Sequence, residues 1–277
     1  MESLEVKTMQ AVDIAECYER PFLESIATDL NLKETARRVF HVRLSKSNLT
    51  KQWCELSGEL KGDHALRNIW WREIREPLKN RGFDYPENGK KTWVKVREWL
   101  EQTKYQLWLW EMLTQKSILT QQMGFREAPA SFAVNHLGAR HRPAEPYVER
   151  VKIGSELKLE MTVAESTHLT LLEREPNGTV VCLCPSDYAR QSQLTVGVHE
   201  FPQKEAPYPT FAATEVGKER WLALLTPDAP RFRWLEQSRH EALELQPVQL
   251  QEVLDYVNEG RKGRLLYTEY EVYEPRR

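Results

Sequence analysis

Cysteine is scarce in this chain: four residues among 277, at positions 17, 54, 182 and 184. So few, so irregularly placed, they exclude the disulfide framework of a small secreted domain. Long apolar runs are missing too, and no stretch approaches the roughly 18 apolar residues of a membrane-spanning helix. The N-terminal segment MESLEVKTMQAVDIAECYERPF carries acids and no apolar core, so it does not read as a secretory signal. None of the 12 glycines builds a phosphate-binding loop, and the protein-kinase signature set is absent. These absences predict a cytoplasmic protein.

What is present suits two soluble domains. Hydrophobic residues make up 40% and charged residues 29% of a chain too long for one average domain. Nine tryptophans imply large aromatic cores, exposed stacking surface, or both. The net charge of -2 hides an asymmetry: residues 33–104 hold 17 Lys and Arg against 10 Asp and Glu. A basic segment beside an acidic remainder points to an anionic partner, or to two domains that attract each other.

The first part has helical periodicity. NLKETARRVF offers Asn31 as an N-cap, with Leu32, Ala36, Val39 and Phe40 on one face. LTKQWCELSGEL continues with Leu49, Trp53, Leu56 and Leu60, and HALRNIWWREIREPLKNRGF with Leu66, Ile69, Trp70, Ile74 and Leu78. Pro77 marks a kink or break there, and Gly82 a C-cap. TWVKVREWLEQTKYQLWLWEMLTQ reads as one long helix capped by Thr92, with Trp93, Val96, Leu100, Thr103, Leu107 and Trp110 on its stripe. Trp70, Trp93 and Trp110 are therefore expected in the core. Trp71, Trp99 and Trp108 fall off the stripes and are candidates for exposure to a partner.

The segment MGFREAPASFAVNHLGARHRPAEPY loses the period and reads as a linker. After it the period becomes two. SELKLEMTVAE alternates Leu157, Leu159, Met161 and Val163 against polar residues. HLTLLERE and TVVCLCPS form a hairpin about Asn177-Gly178, which supplies positive-φ residues. QLTVGVHEFPQ and ERWLALLTP are further strands, QPVQLQEVLDYVNEGRKG a late helix, and RLLYTEYEVYEP a closing strand. TVVCLCPS and ERWLALLTP are apolar on both faces, so both should be central strands, with the late helix covering the second face. The fold class predicted is α+β: an all-α domain over 1–122, a linker over 123–146, and over 147–277 a mostly antiparallel β-sandwich or partly open barrel with one late helix.

The phrases VKIGSELKLEMTV, LTLLEREPNGTVVCLCPS, GVHEFPQ and GKERWLALLTP resemble the bacterial domain of unknown function 4384. Gly154, Gly178, Pro185, Ser186, Gly197, Pro202, Gly217, Ala223, Leu224 and Thr226 fill that family's characteristic places, over roughly Tyr147 to Pro227. The resemblance brings no catalytic motif. Family members often accompany caspase-like proteases or protein kinases in signalling and conflict proteins, which implies an accessory or sensing module. The helical, Trp-rich partner domain departs from that common arrangement.

Cys182 and Cys184 lie two apart in a strand, so period two predicts that they share one face. The reading taken is that both are buried small hydrophobes. A zinc site would need two more ligands, for which His168 and His199 are nearest in sequence. A thiol nucleophile would need a base such as His199, with Asp187 behind it. The sequence points to no metal or cofactor and to no acid–base dyad, so a non-enzymatic protein is expected. The candidate contact residues are Arg72, Arg75, Lys79, Arg81, Lys90, Lys91 and Lys95, on two helices joined by a DYPENGKK turn. They would meet an acidic protein or a nucleic acid, unless paired to Glu73, Glu76, Glu98 and Glu101. The expected role is a protein-interaction, adaptor or sensing component of a bacterial signalling or defence system. Its partner would be a protease, kinase or ATPase; the alternative is a nucleic-acid-binding regulator.

Overall fold

A computed structural model of the chain describes residues 14–46, 49–86, 92–128, 146–260 and 263–275. The chain divides into two compact units, Met1–Trp108 and Leu109–Arg277.

The first unit is helical: α1 (Glu16–Asp29), α2 (Glu34–Leu44), α3 (Leu49–Glu59), α4 (Asp63–Ile69), a π-helical turn (Trp70–Ile74), α5 (Arg75–Asn80), α6 (Thr92–Thr103) and the start of α7 (Tyr105–Lys116). The stripe predicted for α2 is buried as expected, with Leu32, Ala36, Val39 and Phe40 all in the core. Asn31 plays a different part from the N-cap expected of it. Its φ of 53° is left-handed, the Leu32 N–H reaches the Ala27 carbonyl and the Asn31 N–H the Thr28 carbonyl. Asn31 therefore closes α1 in a Schellman arrangement, a place asparagine tolerates because its Cβ penalty is modest there. Gly82, at φ 95°, ends α5 in the same way, with the Phe83 N–H on the Leu78 carbonyl.

The long helix expected from Thr92 onward is two helices that meet at Lys104. At the junction the Thr103 hydroxyl donates to the Trp99 carbonyl at 2.7 Å, a back-bond that bends helices. The break resets the phase of the stripe. Trp108, expected to be free for a partner, is buried against Phe22 and stacks on Tyr105 at 5.7 Å.

The second unit is built of strands: β1 (Ile118–Leu119), β2 (Met123–Glu127), β3 (Arg150–Lys152), β4 (Glu156–Val163), β5 (Thr167–Arg174), β6 (Val180–Cys184), β7 (Gln193–Leu194), β8 (Gly197–Phe201), β9 (Phe211–Ala212), β10 (Gly217–Thr226), β11 (Leu243–Glu244) and β12 (Arg264–Tyr273). Helices α8 (Leu235–Ser238) and α9 (Pro247–Asn258) flank β11. One sheet runs β1-β12-β10-β5-β6-β11, with β3 also on β12 and β7 on β5; the other runs β2-β4-β8, with β9 on β4. Pairing is mostly antiparallel; β1 and β3 lie parallel to β12. The two sheets do not close into a barrel. They face each other across Phe125, Phe211, Trp221 and Tyr270, with Phe125 and Trp221 ring centroids 4.9 Å apart and Phe211 and Trp221 5.0 Å apart.

Residues 123–127, read from sequence as the start of a linker, form β2 in register with β4. Their short run, interrupted by Gly124, hides the strand period; a Cβ at Gly124 would collide with the Tyr147 ring. Residues 129–145 of the expected linker lie outside the described residues.

The alternation in β4 is as predicted, with Leu157, Leu159, Met161 and Val163 buried. Strand β10 is central, between β5 and β12, and β6 lies between β5 and β11. The face of β10 turned from the other sheet is also buried at Leu222 and Leu224. On α9, Leu250, Val253 and Leu254 are buried, but Val248, counted on the same stripe, is exposed. Helix α8 packs on β6, and Glu111 of α7 stands 4.0 Å from Arg220 of β10. Among the described residues no helix is long and apolar enough to cross a membrane.

The hairpin between β5 and β6 uses only one positive φ. Gly178 sits at 98°, its N–H bonds to the Glu175 carbonyl, and the Thr179 N–H bonds to the Asn177 side chain. This is a three-residue loop with glycine at the left-handed place. It replaces the two-residue turn in which Asn177 would also have a positive φ.

Candidate functional site

The Cys182 thiol donates to the Cys184 carbonyl at 3.4 Å, but the two side chains do not share a face. The register of β5 with β6 shifts between Leu171 and Leu172, which pair with Cys184 and Cys182. The extra residue, Leu183, makes a β-bulge, and a bulge re-aims every side chain beyond it. Cys184 therefore joins the core between the sheets, while the Cys182 thiol bonds to Ser238 of α8. The expectation of one shared face fails because it assumed an unbroken period. Both residues are buried, as expected of small hydrophobes. Burial pushes the Cys182 thiol up to about 12 and the Cys184 thiol well above its ordinary value, so neither is an activated thiolate. His199 lies on β8 of the other sheet, its ring nitrogen 2.8 Å from the Thr195 carbonyl oxygen. Among the described residues no three His, Cys, Asp or Glu side chains are grouped to hold a metal ion.

The helical unit holds a more informative constellation. Five segments converge on a cavity of about 380 Å³: the end of α2 (Arg43), α3 (Trp53), α4 with the π turn (Arg67, Trp70, Trp71), the start of α5 with the loop after it (Arg75, Tyr85, Pro86), and the start of α6 (Thr92, Trp93). The π turn has a local cause. Pro77 has no N–H to give to the Glu73 carbonyl, so the α-helical ladder cannot run through this region intact. Just upstream, the Arg75 N–H reaches back five residues to the Trp70 carbonyl. Such a turn adds a residue to one helix face, and π bulges are frequent at functional sites. Here it places Trp70, Trp71 and Arg75 on the cavity wall.

Two arginines lie over aromatic rings. The Arg43 guanidinium is 4.5 Å from the Trp53 ring centre and 5.2 Å from that of Trp93. The Arg75 guanidinium is 4.3 Å from Trp71 and 5.0 Å from Tyr85. Asp63 accepts from the Trp53 indole at 3.1 Å and from the Ser57 hydroxyl at 2.7 Å, which fixes one ring of the cage. Burial, then repulsion from Arg67, lower the proton affinity of Arg43, against the pull of Asp63. Arginine does not give up its proton, so the crowding stands as an electrostatic cost that an anion would relieve. Burial also raises the Tyr85 phenol, with Arg75 opposing and Glu76 adding a little, so Tyr85 remains a neutral donor. Two buried atoms of the described lining residues have no hydrogen-bond partner: Arg75 Nε and the Tyr85 hydroxyl. No carboxylate is among the described residues that line the cavity.

Of the five described residues among the seven contacts named from sequence, only Arg75 is in this cavity. Arg72, Lys79 and Lys95 are exposed on helix surfaces, and Arg81 is tied to Asp29 at 2.7 Å. Lys90 and Lys91 lie outside the described residues. Arg43 and Arg67 were not among the named contacts, and Trp53 was placed on an apolar stripe, because 23 residues lie between the two arginines and both precede the basic run that begins at Arg72. Trp70 and Trp93, expected in the core, are half-buried cavity walls; Trp110 is fully buried, and Trp71 is 55% exposed.

A second cluster lies in the β unit. Tyr270 donates to Glu219, and Glu173 hydrogen-bonds the same carboxyl group. Burial, then the neighbouring Glu219, push Glu173 well above the usual carboxylate range; burial raises Glu219 as well, against the hydrogen bonds from Tyr270 and Glu173. The pair therefore keeps a proton that two exposed glutamates would lose. An acid whose folded pKa is raised costs stability as pH rises above its unfolded value near 4.5. Glu173→Gln is expected to stabilise the protein at neutral pH and to have little effect below pH 4.5, where both carboxyls are protonated in either state. Denaturant titrations across that range would show it; a variant less stable at neutral pH would contradict the shared proton.

Comparison with known proteins bears on the β unit. A family model described as "Domain of unknown function (DUF4384)" matches residues 150–229, and the N-terminal region matches no family model. No curated protein matches the chain. A solved structure of Pseudomonas fluorescens alkylpurine DNA glycosylase AlkC bound to DNA containing an abasic site analog aligns at 9% identity over 76% of this chain. The chain spans 62% of that protein's length, and at a TM-score of 0.15 the likeness carries no argument. The family match ends before β12, the neighbour of β10, so the matched segment does not complete its own sheet. Strands β3 to β10, within residues 150–229, are the part of this chain that matches the DUF4384 family.

Proposed function

We propose that this chain is a non-enzymatic sensing or adaptor component of a bacterial signalling or defence system, acting in the cytoplasm, with the helical unit as its receptor for an anionic partner. The observation that carries the reading is the cavity with Arg43, Arg67 and Arg75 at its wall, no lining carboxylate among the described residues, and two buried donors unpaired. Guanidinium forks match phosphate and carboxylate geometry, and an unpaired buried donor is costly until a ligand acceptor reaches it. The signalling context rests on the DUF4384 resemblance, whose members accompany proteases and kinases.

Pyrophosphate is a suitable probe because it offers charge and acceptors alone. Added in excess over its dissociation constant, it should raise the denaturation midpoint of the full chain, since it binds only the folded state. It should also change the tryptophan fluorescence. Both effects should be lost in Arg43→Gln/Arg75→Gln and weakened by salt. A chain indifferent to millimolar pyrophosphate at low salt would overturn the reading.

A further inference from the structure

The cavity's lining is selective in kind as well as in charge. Among the described residues, every lining residue apart from Pro86 and Thr92 is an arginine or an aromatic, and no leucine, isoleucine, valine or methionine contributes. An aliphatic ligand would therefore find flat rings and charges in place of an apolar sleeve. A small carboxylate would engage one guanidinium fork and leave the aromatic walls wet. A ligand with both an anionic group and a flat heterocycle satisfies both sets of groups.

The geometry separates the two roles. Arg43 and Arg75 each lie over an aromatic ring, and a guanidinium meets an anion through its N–H groups. Arg75 Nε and the Tyr85 hydroxyl are buried donors of the lining residues without a hydrogen-bond partner. Trp71, 55% exposed, offers an indole surface that the protein itself does not cover. Bases of any sequence stack on such a surface because each has a π-face. About 380 Å³ lies within the range of cavities that hold small-molecule ligands.

We infer that the ligand of this cavity is a nucleoside phosphate, its phosphate on the arginine edges and its base on the indole walls. The inference rests on the anion-receptor reading above and goes beyond it by naming the ligand class. The same chemistry is presented by a free nucleotide and by the terminal nucleotide of a single strand.

The experiment is titration of the full chain with four probes: pyrophosphate, adenosine, ADP, and a short single-stranded oligonucleotide carrying a 5′-phosphate. ADP should bind more tightly than pyrophosphate by on the order of tenfold or more, the contribution of one stacked base. Trp71→Ala should remove that advantage, and because Arg75 rests on this ring it should weaken pyrophosphate binding too, by less than it weakens ADP binding; Trp71→Phe should keep part of the advantage. Trp71 is exposed, so its replacement leaves the core untouched. Arg75→Gln should weaken both ligands. An oligonucleotide that binds more tightly than ADP, with the same Trp71 dependence, assigns the site to a strand end; one no tighter than ADP assigns it to a free nucleotide. Equal affinity for ADP and pyrophosphate would overturn the inference and leave the anion receptor standing. A phosphotyrosine peptide that outcompetes ADP would overturn it in favour of a phosphoprotein partner. Failure of every probe would remove the receptor reading as well.

Discussion

Arg97→Ala should destabilise the helical unit by about 3–5 kcal/mol, the usual cost of breaking a buried ion pair by removing one partner. Arg97 bonds Glu19 at 2.7 Å and Glu101 at 2.7 Å, and also donates to the Leu44 carbonyl. The three side chains are only 12%, 8% and 11% exposed, so water does little to replace the lost guanidinium. Lys46 stands 3.8 Å from Glu101 but 47% exposed, and can take up only part of the charge. The pH dependence offers a second check. Burial alone would raise Glu19, but the Lys46 N–H, Arg97 and Ser45 hold it below its ordinary value. A depressed acid contributes stability above its unfolded value near 4.5 and loses it as pH falls through the folded value. The penalty of Arg97→Ala should therefore be largest near neutrality and shrink below pH 4.5, where the orphaned Glu19 takes up a proton. Chemical denaturation at several pH values would measure it; a loss under about 1 kcal/mol at neutral pH, the worth of an exposed pair, would show that the network is not buried in solution.

Trp221→Ala should cost the β unit about 3–5 kcal/mol, the range for emptying a large aromatic site in a core. Trp221 is fully buried on β10, with Phe125 and Phe211 of the facing sheet against its ring at 4.9 and 5.0 Å. The cavity would open where the two sheets meet, and neither sheet can close it without breaking register. Its indole N–H is buried without a hydrogen-bond partner. Trp221→Phe discards that unpaired donor along with some volume, so it should cost much less than the alanine variant. Equilibrium unfolding of both variants would check the order; a phenylalanine variant as unstable as alanine would mean that the indole N–H has a partner.

The features legible in the sequence are those that a few adjacent residues specify. Leu157, Leu159, Met161 and Val163 alternate because β4 is half covered and its period is local. The α2 stripe is visible for the same reason. The DUF4384 phrase, continuous in the chain, is recognisable before any fold is known. Gly82 announces the end of α5, since few other residues accept its left-handed φ.

Four other features were decided by tertiary structure. The β6 bulge exists only in register with β5, so no reading of VVCLC alone separates Cys182 from Cys184. Trp108 turns inward because α7 restarts after Lys104 beside Phe22 of α1. The strand at residues 123–127 needs β4 as a partner to be a strand at all. The arginine–tryptophan cavity draws on residues from Arg43 to Trp93, brought together by helix packing and one π turn. Periodicity tells which face of an element is apolar, because that depends on the backbone's own repeat. It cannot tell which element comes to lie against that face. That depends on long-range packing, and the arginine–tryptophan cavity proposed as a ligand site arises at that level.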